Sequence, residues 1–273
     1  MDSPGEYLKQ LGAAGEGPHD IATAALMLAA LDRPYVKLDP FRVHLAELGE
    51  AARAEAEFAR DAELAARALS AVLVGRYGYD GDKARYDDPA NADLISVIER
   101  RRGLPVALGI LYMHAARVAG LSAHGLSAPG HFLLGIAVKG GEALIDPFNG
   151  GAAVERERLS GPPLLSEPGL LDEPHPLEPV SDTNVLLRLQ NNIKTRALEA
   201  RDTARALEVT LRMLLIAPVR PHLWLDLARL QEGAGALGAA RAAYERCIAC
   251  ASAAGQPNNE AALALQALKR RLN

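Results

Sequence analysis

Between Leu104 and Asp146 the apolar residues change their period, and that change fixes much of what the chain can fold into. Leu104, Leu108, Leu111, Tyr112, Ala115 and Val118 recur at three- and four-residue steps, the stripe of a helix, and Gly120 follows as a stop. Pro105 suits the first helical position, where its missing N–H costs no internal bond. Pro129-Gly130 then breaks the chain. His131 to Val138 reads as a strand, Gly140-Gly141 as a hairpin turn, and Glu142 to Asp146 as the returning strand. Alternation puts Phe132, Leu134, Ile136, Val138, Ala143 and Ile145 on one face, to be covered by the helix from Leu104, and His131 and Asp146 on the other. With the glycines at the turn centre, residue 135 lies opposite Asp146, leaving His131 roughly 13 Å away along the ladder. Contact between the two, which we expect, therefore needs a shifted turn, a bulge or strong coiling.

An imidazole followed by a carboxylate on paired strands, behind a helix start, is the layout of a thiol enzyme without its thiol. His131 and Asp146 stand where the base and its orienting group belong, with Arg102, Gly103, Pro105 and Asn149 around the cleft, and Pro105 where the sulfur would sit. No Cys, Ser or Thr lies between Leu104 and Ala119, so this helix offers no substitute nucleophile of those types. His131 reads equally well as a structural histidine bonding Asp146, and Asp146 as a strand-end Asp accepting loop amides. The Arg100-Arg101-Arg102 run reads as an anion clamp at a cleft rim or, more simply, as partners for Glu99 and acidic helices.

The run Tyr79-Asp80-Gly81-Asp82, Tyr86-Asp87-Asp88-Pro89-Ala90-Asn91, Arg101-Arg102-Gly103-Leu104-Pro105, Pro129-Gly130-His131-Phe132 and Ile145-Asp146-Pro147-Phe148-Asn149-Gly150-Gly151 resembles the SirB-type family. Its members join a transglutaminase-like domain to tetratricopeptide repeats. The resemblance covers most of the chain and implies a fold and a site location but no reaction, because the family's activity is poorly defined. The fifteen-residue step from His131 to Asp146 is similar to that of active transglutaminase and papain-like cores. In those enzymes the second residue after the glycine matching Gly103 is the Cys, and this chain departs from them at Pro105.

Beyond Asp146 the composition shifts. Pro162, Pro163, Pro168, Pro174, Pro176 and Pro179 crowd residues 161–179, a linker or extended strap and our expected boundary. We expect a transglutaminase-like domain over 1–178, comprising a helical part over 1–100, a core over 101–160 and the linker, and a tetratricopeptide-like helical domain over 179–273. In the tail, Ala206 and Ala240 stand one repeat length apart. Trp224, Leu227 and Ala228 open one helix, Ala240 and Tyr244 sit on the next, and Pro218 closes the preceding unit. About two repeats and a terminal helix from Asn259 fall short of a free-standing solenoid. The expected fold class is α+β, mainly helical, a papain/transglutaminase-like core with a small antiparallel sheet and a helical tail.

Two cysteines, Cys247 and Cys250, and an acidic, polar start (Met1-Asp2-Ser3-Pro4-Gly5-Glu6) point to a reducing cytoplasm and no membrane span. The cysteines, at helical spacing, read as packing residues, and His114 and His124 beside His131 lack a carboxylate at ligand spacing, so no metal or cofactor is expected. Residues 1–180 carry 17 basic against 26 acidic side chains, and residues 181–273 carry 13 against 8. The net charge of −4 gives no reason to expect nucleic acid. There is no phosphate loop, HExxH pair or GxSxG elbow.

These features lead us to expect a degenerate, non-catalytic transglutaminase-like protein, a pseudoenzyme, whose tail binds a protein or peptide partner or braces the fold. The alternative is a weak amide or ester hydrolase with His131 as general base and Asp146 as orienter.

Overall fold

The computed structural model describes residues 3–128, 131–156 and 178–272. The expected linker over 161–179 lies almost wholly outside them. The chain divides into two compact units, one of Met1–Tyr7 and Glu16–Leu189, the other of Leu8–Gly15 and Gln190–Asn273. The architecture is the expected one: mainly helical, with a small antiparallel sheet, followed by a helical tail.

Helix α1 (Pro4–Ala14) opens the chain. In the first unit, α2 (Ile21–Ala30) is apolar all round and almost wholly buried, and the Asp20 side chain caps its start by accepting from the Thr23 N–H. Next come α3 (Asp39–Ala56), with Pro40 in its first turn, and α4 (Ala62–Ser70), capped by Asp61. A π-helical turn, Ala71–Arg76, continues α4 and ends near Gly78 at φ +73. Short strand β1 (Asp80–Gly81), α5 (Leu94–Arg100) and strand β2 (Arg102–Gly103) lead into α6 (Pro105–Val118). Within the part expected to be helical over 1–100, residues 80–81 form a strand, because β1 pairs in parallel with β2 about twenty residues away, beyond the reach of local pattern.

Helix α6 is the axis of this unit. Val106 to Met113 are all buried. On one side it meets α3 closely: a Cβ at Gly49 would lie 2.6 Å from Val118 Cγ1. His114 Nε2 bonds the Leu45 carbonyl at 3.0 Å, and the Arg53 guanidinium donates to the Val118 carbonyl at 3.0 and 3.1 Å. On the other side lies a five-stranded antiparallel sheet in the order β6-β5-β4-β3-β7: β3 (Ser122–Ala128), β4 (His131–Val138), β5 (Gly141–Asp146), β6 (Ala152–Val154) and β7 (Pro179–Val180). As expected, the Phe132 face of the sheet packs on α6, with the Phe132 ring against Gly109.

One strand of the sheet was not expected, and one turn differs from expectation. The segment around His124–Ser127 is a full strand, which alternation hid because Gly125 interrupts it with no side chain. The hairpin pairs Val138 with Gly141 and Leu134 with Ile145, so its turn is Lys139-Gly140, not Gly140-Gly141. Gly140 adopts φ +97 at the second turn position and Lys139 does not go positive, the sense of a type II turn, which favours glycine there.

The second unit holds α8 (Thr203–Ile216), α9 (Pro221–Gly233), α10 (Leu237–Ala253) and α11 (Asn259–Leu272), following α7 (Asp182–Glu199). These are the helix pairs expected from the repeat. Ala206, Ala228 and Ala240 are fully buried, small residues that let neighbouring helices approach. Trp224 Nε1 donates to the Pro218 carbonyl at 2.8 Å, and Tyr244 Oη donates to Glu232 at 2.9 Å. Leu227 lines the same core. Cys247 is buried there, its thiol pushed up by burial, and Cys250 is half-buried beside the Pro218 carbonyl.

Candidate functional site

The β1–β2 ladder and the turn after β5 meet near the start of α6. Leu104 is extended, its N–H donating to the Asn91 carbonyl at 2.9 Å, and Pro105 takes the first helical position with no side-chain cap. The β1–β2 ladder pairs Asp80 with Arg102 and Gly81 with Gly103 just before it. Gly103 is buried against Val97, and a Cβ at Gly81 would strike Phe148, at 2.6 Å from its Cδ2. The loop after β5 therefore lies directly across β1.

Asp146 organises that loop. Its Oδ1 accepts from the Phe148 N–H at 2.9 Å and the Asn149 N–H at 3.2 Å, its Oδ2 from Asn149 Nδ2 at 2.7 Å, and its carbonyl from the Gly151 N–H at 2.9 Å. Gly150 and Gly151 are both left-handed, and a Cβ at Gly151 would strike the hydroxyls of Ser70 and Tyr112. The Ser70 hydroxyl donates to the Ala66 or Gly151 carbonyl, at 3.0 and 3.2 Å. Burial pushes the Tyr112 phenol up to about 12.

His131 begins β4, paired with Ala128, but its side chain lies outside the described residues. The observed register, continued by one position from Leu134↔Ile145, sets Asp146 level with Leu133. His131 and Asp146 thus share a face two positions apart, about 7 Å along the strand, half the separation that a glycine-centred turn implies.

The three arginines part company. Arg100 Nη2 bonds Asp82 Oδ2 at 2.7 Å and Asn91 Oδ1 at 3.1 Å, with Asp88 at 3.6 Å from Nη1, so it braces the loop before α5 rather than pairing with Glu99. Asp82 and Asn91 are buried. Arg102 Nη1 donates to the Gly78 and Arg101 carbonyls at 2.9 and 2.8 Å. Arg101 Nη1 reaches His44 Nε2 at 2.7 Å and also bonds the Tyr79 hydroxyl, which itself lies 2.7 Å from His44 Nε2.

That His44–Tyr79–Arg101 group carried no sequence signal, because His44 lies 57 residues from Arg101 and 35 from Tyr79. A guanidinium only donates, so His44 Nε2 must accept and the ring is neutral. Burial first, and Arg101 second, lower its pKa to about 4. Burial likewise raises the Tyr79 phenol, with Arg101 opposing. The lowered His44 value has a definite sign: the unfolded chain binds a proton near 6.5 that the folded chain refuses until about 4. Stability should be flat in pH above that range and fall as pH drops through it. Thermal melting from pH 7 to pH 4.5 should show a smaller loss for His44→Gln than for the parent, and equal losses would remove His44 from the account.

His124 Nε2 sits 3.0 Å from Glu142 Oε1 across Gly135, and Arg156 holds the other Glu142 oxygen at 2.7 Å. Among the described residues no group of three or more His, Cys, Asp or Glu is placed to hold a metal ion, and no helix is long and apolar enough to cross a membrane.

Residues 39–191 match the family described as the transglutaminase-like superfamily, and residues 193–272 match the tetratricopeptide repeat. A UPF0162 protein of Xylella fastidiosa is 31% identical over 219 residues, 78% of each chain. A UPF0162 protein of Vibrio cholerae is 28% identical over 206 residues, 74% of this chain and 76% of its own. F-box only protein 21 of Mus musculus is 31% identical over 67 residues, 24% of this chain and 11% of its own. No solved structure matches. A helix opening on Pro105 behind a β4–β5 hairpin, and a matching stretch that spans more than half of the sequence, have one conclusion: the chain belongs to the transglutaminase-like superfamily and continues into tetratricopeptide repeats.

Proposed function

We propose that this chain is a non-catalytic binding scaffold of SirB type in the cytoplasm, a transglutaminase-like unit whose repeat tail engages a protein or peptide partner. One observation carries the reading: α6 starts on Pro105 where an attacking sulfur would stand, and its one hydroxyl, that of Tyr112, is buried and held protonated. The Asp146 carboxylate supports it, since both its oxygens are already engaged by the loop it caps.

The alternative, water activation by His131 with Asp146 orienting it, draws on the β4–β5 register that brings the two to neighbouring levels of one face. A positioned base contributes about 10²–10⁴-fold, enough to detect. Nitrophenyl ester and anilide hydrolysis by the parent and by His131→Ala should both equal the buffer rate. A rate above buffer that disappears in His131→Ala would replace the scaffold reading with the hydrolase.

A further inference from the structure

Three guanidiniums crowd the segment Arg76-Tyr77-Gly78-Tyr79 and none makes an ion pair among the described residues. Arg76, exposed at the end of the π-helical turn, has its Cζ 5.5 Å from the Tyr77 ring centroid. The Arg101 Cζ lies 6.0 Å from the same ring and 4.7 Å from that of Tyr79. Arg102, also exposed, is tied by one nitrogen to the Gly78 and Arg101 carbonyls. Their neighbours differ: Arg85 and Arg100 are both neutralised by Asp82 and Asp88.

This gathering is costly to the fold. Arg101 caps α5 in the left-handed region, φ 58 and ψ 26, where glycine is the usual residue. Its charge also sits beside His44, which it helps to keep neutral. A side chain held at such a position, with like charges close by and no acidic partner, is an outlier of the kind found at ligand sites. The surrounding sequence makes it stand out further, because residues 1–180 carry 26 acidic against 17 basic side chains.

We propose that Arg76, Arg101 and Arg102 form a docking site for an acidic, carboxylate-bearing peptide segment of a partner protein. Arginine forks match carboxylates two bonds at a time, and Arg101 and Arg102 are already oriented by Tyr79, His44 and the Gly78 carbonyl, so little freedom is lost on binding. Arg76 and Arg102 are exposed, and the half-buried Tyr77 offers an aromatic platform between Arg76 and Arg101. Two exposed forks and one half-buried one, all gathered on residues 76–79, suit charges spaced along a chain better than a small molecule, which favours a concave pocket. The site lies in the first unit and does not rest on the repeats, so it stands or falls separately from the partner proposed for the tail.

The test is fluorescence anisotropy of the full chain with a labelled oligoglutamate peptide, an oligoglutamine peptide of equal length, and an oligothymidylate of equal charge. Oligoglutamate should bind, more weakly as salt rises, and the oligoglutamine should not. Arg76→Gln and Arg102→Gln, at exposed positions, should each weaken binding about three-fold, and Arg101→Gln about ten-fold. Arg101→Lys, which keeps the charge but loses the fork, should fall between the parent and Arg101→Gln. Circular dichroism confirms that each variant is folded, and the two exposed positions decide the matter if Arg101→Gln is not. Unchanged affinity in Arg76→Gln and Arg102→Gln, tighter binding of oligothymidylate, or no oligoglutamate binding at low salt would overturn the proposal.

Discussion

Asp182→Ala is expected to lower the stability of the first unit by about 3 kcal/mol, since it strands a guanidinium and a backbone N–H at once. The Asp182 side chain is 5% exposed, and its two oxygens accept from Arg117 Nη1 and Nη2 at 2.7 and 2.8 Å and from the His19 N–H at 2.8 Å. Arg117 is 28% exposed and also donates to the Ala123 carbonyl, so water and that carbonyl soften the loss. Arg117→Ala should therefore cost as much or less, and the double variant less than the sum of the two, because the pair acts as one unit. Urea titration following the first unit's transition checks this. Strict additivity would mean that the pair contributes nothing jointly.

Phe132→Ala should be costlier still, about 4 kcal/mol, as for other buried aromatics. The ring is 2% exposed and fits between two residues without side chains: a Cβ on Gly109 would strike its edge, and a Cβ on Gly125 would lie 2.8 Å from Cζ. Arg188 covers it, Cζ 5.6 Å from the centroid. Gly109→Ala sets two effects against each other. Alanine gains about 1 kcal/mol in a helix over glycine, but overpacking against a strand-held ring costs about 1–3 kcal/mol. The ring sits on a central strand and has little room to yield, so the net should be destabilising. The same Gly109→Ala in a Phe132→Leu background should be neutral or stabilising. If the glycine substitution behaves alike in both backgrounds, the helix–sheet contact is looser than its geometry implies.

The elements that repeat locally were readable in advance. The α6 stripe, the Pro105 start, the helix pairs from α7 to α10 and the apolar face of the hairpin all follow from three-, four- and two-residue periods. What escaped reading depended on distant partners or on glycine. Strand β3 was obscured by Gly125, and β1 pairs with a strand twenty residues on. The turn was read one residue late because two adjacent glycines compete for it, and only cross-strand packing chooses between them. Asp146, Asn149, Gly103 and Pro105 were singled out by motif, yet the work that Asp146 does in capping its own loop needed coordinates. His44, Tyr79 and Arg101 meet only once α3, the π-helical turn and α5 have packed, which no periodicity encodes.

The Lys139-Gly140 bend, closed by the Val138–Gly141 pair, decides which way each side chain of β5 faces. One added residue with a two-residue turn retained would slip the pairing by one, sending Ile145 outward and Asp146 toward Leu134 and α6, whereas a three-residue loop would leave the pairing as it is. Two added residues would preserve the facing. Grafts, tags or natural length variation at this bend should therefore be accepted where they lengthen the loop and leave the Val138–Gly141 pair closed, and rejected where they shift it.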